Sequence, residues 1–500
     1  MRKMRSQTGI MSEKDNNPQV TTNEIPNSPH PLEEFKRIAK QIKNDITDQK
    51  FAKHMDDNDP LRSLRQDFCY PKMKDLLGAD LSLVDPNEDC VYFCGNSLGL
   101  CPKMTKQYMD VQLEKWAKTG AQGYHQDVPW VNCHEHLDTD MAKIVGGRPG
   151  EVAIMNGLTV NLHHLLISFY RPTQKRHKIL CETNAFPSDY YTFQSQISLH
   201  GYDPETSLLC VEPKVGEVTL RTEDILAKIE EEGDSIAVIC FSGVHYYTGQ
   251  MFDMLSITRA GHAKGCYVGF DLAHAAGNVP LYLHDWDIDF ACWCTYKYMN
   301  SSPGSLACIF LHNKHKQNDF PKLIGWWGHH PDTKFNMDNK LDLCTGAYGY
   351  RVSAPPGLLY PPIKASLEIF NKTSLEEIRA KSKLLTAYLE YRIVEKYGQT
   401  NGIAEKTLEP KDGDLEHVHI FTPSDPEQRG AQLSLSFSVN ISYVFKELEK
   451  RGVICDERKP SVIRVSPAPL YCSFQDVHRF MEYLDQALKA AAITAALDKE

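Results

Sequence analysis

Seven short apolar runs along residues 152–311, separated by stretches of helical periodicity, constrain this chain more than any other feature. They are Val152–Met155, Lys178–Cys181, Ser207–Val211, Ile236–Phe241, Cys266–Phe270, Ile288–Cys294 and Leu306–Leu311. A strand covered on both faces reads as an unbroken apolar run. Strands that alternate with helices, here Thr222–Glu232 and Leu255–Lys264, build a parallel sheet flanked by helices. The expected fold class is α/β, with a large domain on a mainly parallel central sheet.

The flanks read differently. Past residue 361, Leu375, Ile378, Leu385, Tyr388, Leu389 and Ile393 fall on one stripe of a long helix, and Leu433, Leu435, Phe437 and Val439 alternate as a half-buried strand. Ser473 and Asp476 form a capping box before a helix whose Val477, Phe480, Met481, Leu484 and Leu488 face a core. Residues 362–500 therefore make a smaller α+β domain, and 500 residues suit two packed domains. Residues 1–31 are polar, rich in Asn, Ser, Thr and Pro, and expected to be disordered. Phe35, Ile38 and Ile42 open helical stretches in a segment, 32–90, expected to pack with the small domain. The large domain then spans 91–361.

Composition excludes several functions. The net charge is −10 with both signs interspersed, and no Lys/Arg-rich run carries interleaved aromatics, so nucleic-acid binding is not expected. No apolar stretch approaches the ~20 residues that span a bilayer. The fifteen cysteines contain no C-x-x-C, and several, such as Cys181, Cys240 and Cys308, lie inside apolar runs as small core residues. Free thiols and the lack of an apolar leader point to the cytosol.

Ligands of parallel sheets bind in the loops after the strands' carboxyl ends, so those loops carry the chemistry. The first gives Leu158 and Thr159 at a helix start, where free N–H groups suit a phosphate. The next gives Phe186 and Asp189; later ones give Ser242, then Asp271 and His274, then Tyr296 and Lys297. Each alone has a plainer explanation as a cap, turn or surface residue. Together they match pyridoxal phosphate (PLP), which needs a lysine for its aldehyde, an acid for its pyridine nitrogen, an aromatic cover and phosphate donors. Lys297, Asp271, Phe186, and Thr159 with Ser242 and Tyr296 supply these in turn.

Longer strings carry a resemblance. Asp271-Leu272-Ala273-His274 and Trp293-Cys294-Thr295-Tyr296-Lys297, with Gly95-Asn96-Ser97-Leu98-Gly99, Phe186-Pro187-Ser188-Asp189, Gly325-Trp326-Trp327-Gly328 and Ile463-Arg464-Val465, resemble the kynureninase family. That family belongs to the class V aminotransferase group of fold-type I PLP enzymes. The resemblance covers roughly residues 60 to 490. It implies hydrolytic cleavage of the Cβ–Cγ bond of L-kynurenine or 3-hydroxy-L-kynurenine, a step of tryptophan degradation. It assigns Lys297 to the cofactor aldehyde, Asp271 to the ring nitrogen, His274 and Phe186 to the ring, and Asp189 as a second carboxylate. Leu158, Thr159, Ser242 and Tyr296 would contact the cofactor, with Tyr296 also a candidate acid. Trp326 would reach the phosphate across the interface of a homodimer. Arg464 would bind the substrate α-carboxylate, with Asn96, Ser97 and His125 also at the substrate.

The chain departs from that pattern at two places. Ala354 stands before Pro355-Pro356 where animal members have Asn, and Gly123-Tyr124-His125 replaces Gly-His-Glu. An alanine methyl cannot hydrogen-bond a ring hydroxyl, so weaker selection for the 3-hydroxy substrate is expected. Among rivals, a cysteine desulfurase needs a cysteine in a mobile Gly/Ser-rich lid, and none stands out. A nicotinamide dehydrogenase would show G-x-G-x-x-G, and a zinc hydrolase more than the adjacent pairs His163/His164 or His329/His330. A scaffold without cofactor would not be expected to retain both Lys297 and Asp271.

Overall fold

The computed structural model describes residues 30–126, 129–354, 356–398 and 417–497. The expected polar tail therefore lies outside the described residues up to residue 29, and Pro31 already begins a helix. That helix, α1 (Pro31–Ile42), and α2 (Gln49–Asp57) precede a two-residue strand, β1 (Val91–Tyr92), and the helices α3 (Met104–Thr119) and α4 (Glu135–Ile144).

The central layer follows as β2 (Val152–Met155), α5 (Leu158–Phe169), β3 (Lys178–Glu182), α6 (Pro187–Leu199), α7 (Pro204–Ser207), β4 (Leu208–Val211), α8 (Thr222–Glu232), β5 (Ile236–Ser242), α9 (Met254–Ala263), β6 (Tyr267–Asp271), β7 (Phe290–Cys294) and β8 (Ala307–Leu311). These strands form one seven-stranded sheet in the order β2-β8-β7-β6-β5-β3-β4. Only β8 runs against the others, pairing antiparallel with β2 and β7. The unbroken apolar runs are explained by burial on both faces. On β5, Ile239 and Phe241 enter one core while Val238 and Cys240 enter a second, and β3, β6, β7 and β8 divide the same way. Four expected strands start a residue or two early. Ser207, for example, ends α7, where it is fully buried.

The chain closes with α10 (Tyr360–Phe370), α11 (Leu375–Tyr397), β9 (Val418–Ile420), β10 (Leu433–Phe437), α12 (Ile441–Lys450), β11 (Val453–Ile454), β12 (Asp456–Arg458), β13 (Val462–Val465) and α13 (Phe474–Leu497). Four of these strands make an antiparallel sheet, β12-β13-β10-β9. The capping box of α13 is formed: the Ser473 N–H donates to Asp476 Oδ2 at 2.9 Å and the Asp476 N–H to Ser473 Oγ at 3.0 Å. Asp56 accepts the next two free N–H groups of this helix, from Phe474 and Gln475, at 2.7 and 3.0 Å. Phe35 and Phe51 pack on Tyr388 of α11 with ring centroids about 5.9 and 5.8 Å away. These contacts seat α1 and α2 against α11 and α13.

Both expected boundaries of the large domain shift. Residue 361 falls inside α10, which packs on α3 and α4. The pair Pro361-Pro362 looks like a break, yet it opens the helix, where a missing N–H costs nothing. At the other end, Val91 and Tyr92 pair in parallel with Val453 and Ile454, so this stretch belongs to the small domain's side.

Candidate active site

Four strand ends converge on one cavity. Glu182, Ser242 and Asp271 are the last residues of β3, β5 and β6, and Ser242 and Asp271 are register partners. Three residues past β7 comes Lys297, held by a tight turn: the Asn300 N–H donates to Lys297 O at 2.9 Å and the Ser301 N–H to Thr295 O at 3.0 Å. Asn300 takes a left-handed φ of 55°, a conformation asparagine tolerates. The segment Asn96–Gly99 closes over this turn, with the Gly99 N–H donating to Tyr296 O at 2.8 Å. A Cβ on Gly99 would lie 2.4 Å from Lys297 O and 2.8 Å from Asn300 Cα, so only glycine permits the approach.

The cavity measures about 290 Å³. Lys297, Asp271, His274, Tyr296, Ser242 and Phe186 line it from the sheet side, and Leu158 and Thr159 line it from the start of α5. Asn96, Ser97 and Arg464 close it from the small domain. Asp189 is almost fully buried in the first turn of α6. Lys297 Nζ is 5.7 Å from the centroid of the Phe186 ring, which is part exposed and meets Tyr246 edge-on at 5.1 Å.

His125 and Trp326 do not join this cluster. Trp326 is half exposed, donates Nε1–H to Lys334 O at 3.1 Å and packs on Phe335, whose other side meets His125 at 5.8 Å between ring centroids. Ala354 is exposed and does not line the cavity, and Pro355 lies outside the described residues.

Three buried carboxyls and one guanidinium set the electrostatics. Burial pushes Glu182 up to about 7, and Asp271 adds to the rise. Burial together with the Asp271 charge raises Asp189 well above the carboxylate range. Burial and the Lys297 charge hold His274 well below its ordinary value, so its ring is neutral. Burial also raises the Tyr296 phenol, keeping its proton in place at neutral pH. Arg464 is 1% exposed. Its Nη1 donates to Tyr246 O at 2.7 Å, and its Nη2 to Ser97 Oγ at 3.0 Å and Asp456 Oδ2 at 2.6 Å. Asp456 stands directly across the β12–β13 ladder from Arg464, which explains the pair.

Four buried polar atoms around this cavity have no hydrogen-bond partner: Asp189 Oδ1, His274 Nδ1, Asn96 Oδ1 and Arg464 Nε. Buried polar groups are ordinarily satisfied, so such a concentration marks a polar ligand site. Donors, acceptors, a lysine and a ring-sized cavity with an aromatic wall fit PLP and an amino acid together.

The sequence reading missed Glu182, Asp456, Arg458 and Tyr246. Glu182 was legible, because it ends the run that begins at Lys178. Asp456 and Arg458 lie on a strand of charged residues that no apolar pattern announces.

Comparisons with known proteins agree with this geometry. Residues 101–410 match the family model for aminotransferase class-V, and residues 378–484 that for the kynureninase C-terminal domain. Kynureninase of Rattus norvegicus is 52% identical over 459 residues, covering 92% of this chain and 97% of the relative. The chain belongs to the kynureninase family. Membership extends to distant relatives: the kynureninase of Homo sapiens is 52% identical over 92% of this chain and 97% of its own length, and that of Flavobacterium psychrophilum 43% over 88% and 97%. Among solved structures, the apo cysteine desulfurase of Thermococcus onnurineus NA1 superposes with a TM-score of 0.65 at 16% identity, covering 80% of this chain and 95% of its own. A C-DES mutant with glycine covalently linked to its PLP cofactor gives 0.66 at 14% identity, over 81% and 99%. These two likenesses show the fold alone.

Proposed function

We propose that this chain binds PLP between Lys297 and Asp271 and hydrolyses the Cβ–Cγ bond of L-kynurenine or 3-hydroxy-L-kynurenine, releasing L-alanine and anthranilate or 3-hydroxyanthranilate. The observation that carries the reading is that a lysine and a carboxylate, from the ends of neighbouring parallel strands, open onto one cavity in a chain of this family. When bound, PLP supplies an aldehyde that takes the amino acid's nitrogen and a protonated ring that withdraws electrons from the bonds at Cα and Cβ.

The chain's own residues do the rest. Asp271, with Oδ1 fixed by the Ala273 N–H at 2.8 Å, holds the proton of the ring nitrogen. Phe186 would cover the ring, and neutral His274 would lie against it without adding charge. The N–H groups at the start of α5, with Thr159 beside them, take the phosphate. Arg464, with Ser97 and Asn96, orients the substrate carboxylate through a planar fork that carries no transferable proton. Lys297 Nζ, which opens onto the same cavity, would move the proton at substrate Cα. Tyr296, still protonated at neutral pH and lining the same cavity, would donate the proton returned to Cβ.

The active assembly is a homodimer in the cytosol. An exposed apolar surface of Leu323, Ile324, Trp326, Phe335, Met337 and Leu341 supports pairing with a second copy. Trp326 and His125 both pack on Phe335 of that surface, where a second copy would meet them. All fifteen cysteines are free, which suits a reducing compartment. Among the described residues no helix is long and apolar enough to cross a membrane.

The test is to supply the PLP-loaded protein with each kynurenine and quantify alanine and the aromatic acid. Equimolar products are expected. Cleavage of neither substrate would overturn the reading.

A further inference from the structure

We propose that Glu182 is a positioning residue: its buried carboxyl decides whether the Ser242 hydroxyl presents a proton or only lone pairs to an oxygen of the bound cofactor. This rests on the PLP reading above and goes beyond it, because Glu182 itself does not line the cavity.

Three observations carry it. Glu182 is 2% exposed at the end of β3, one strand from Ser242. Its Oε1 accepts from both the Ser242 N–H at 3.0 Å and the Ser242 hydroxyl at 2.6 Å. Ser242 lines the cavity beside its register partner Asp271. A serine has one hydroxyl proton. While Glu182 is ionised, that proton is committed to it and Ser242 offers the ligand lone pairs alone. Once Glu182 is neutral, its pull weakens and the proton can turn to an anionic ligand oxygen.

The surroundings put this choice near neutral pH. Burial, with Asp271 adding to it, brings the Glu182 carboxyl to about 7. The other groups facing it are Asp189 from α6, Asp271 from β6 and the Tyr246 phenol beyond β5, with Lys297 acting on Asp189 from across the cavity. Cys181 and Cys240, on the strands beneath, are pushed up and stay neutral thiols. Cys210 of β4 lies against Cys181, with the two sulfurs 3.6 Å apart. An anionic ligand therefore binds more tightly when Glu182 carries its proton, and its affinity falls as pH rises through about 7.

The full chain, stripped of cofactor, is titrated with PLP between pH 6 and 8.5, as wild type, Glu182→Gln and Ser242→Ala. Ratios of dissociation constants at each pH remove the pH dependence that the three proteins share. The wild-type to Glu182→Gln ratio is expected to rise roughly tenfold across this range, as for a one-unit shift on binding. Ser242→Ala keeps the charge but loses the relay, and should show a smaller pH step than wild type. It also covers the case in which Glu182→Gln fails to fold. A flat Glu182→Gln ratio, or a step unchanged in Ser242→Ala, overturns the proposal. Absence of PLP binding in wild type would instead overturn the cofactor reading.

Discussion

The two ends of the central sheet are equally rich in titratable side chains, and they use them in opposite ways. At the end where β3, β5, β6 and β7 finish, Asp189, His274, Asn96 and Arg464 each keep a buried polar atom without a partner. At the opposite end, Asp289 accepts from His262 Nε2 at 2.9 Å, His315 Nε2 at 2.7 Å, Lys314 Nζ at 2.9 Å and the Val268 N–H at 2.7 Å. Glu151 likewise accepts from His284 Nδ1 at 2.8 Å and from the Asn313 and Arg148 N–H groups, both at 2.7 Å. One end is saturated within the chain and the other is completed only by a ligand. A buried charge is thus no sign of function by itself; the unmet hydrogen bond beside it is.

Removing a charge from each end sharpens the contrast. Asp289→Asn should cost about 3 kcal/mol of stability, the scale for breaking a buried ion pair, while leaving kcat of the folded enzyme near wild type. Burial pushes the Asp289 carboxyl up, but hydrogen bonds from His262 and His315 and the Lys314 charge outweigh it and hold the group well below the carboxylate range. Its folded value being depressed, the stabilisation is complete above an unfolded value of about 4 and is lost as pH falls further. The variant's melting temperature should therefore respond less to acid than wild type's. Equal acid sensitivity would show the saturated end to be energetically idle.

At the catalytic end, Asp271→Asn should lower kcat well over tenfold, more than ~1.4 kcal/mol in the barrier, with little change in melting temperature. A rise in KM at constant kcat would reduce Asp271 to a binding group. A smaller effect is expected for Arg464→Lys, which keeps the charge and loses the fork. It should weaken substrate binding about tenfold, near 1.4 kcal/mol, with PLP retained. Loss of PLP would place Arg464 on the other ligand.

Much of this contrast was legible in the sequence. The strands were, because burial on both faces leaves nothing but apolar residues in Ile236–Phe241 or Phe290–Cys294. The cavity wall was too, since parallel strands aim their following loops at one place and Ser242, Asp271 and Lys297 occupy those positions. The domain boundary at 361 was not, because a proline pair reads alike as a break or as a helix start. Asp456 stayed hidden because its role depends on register with Arg464, a relation that exists only once β12 and β13 pair. His125 and Trp326 were picked out by resemblance, and within one chain they gather around Phe335 and not around Lys297.

The most direct measurement is to reduce the PLP-loaded protein with borohydride, digest it and locate the modified lysine by mass spectrometry. The account predicts one phosphopyridoxyl group, on Lys297, and none in Lys297→Ala. A label on any other lysine, or undiminished labelling of that variant, would contradict it.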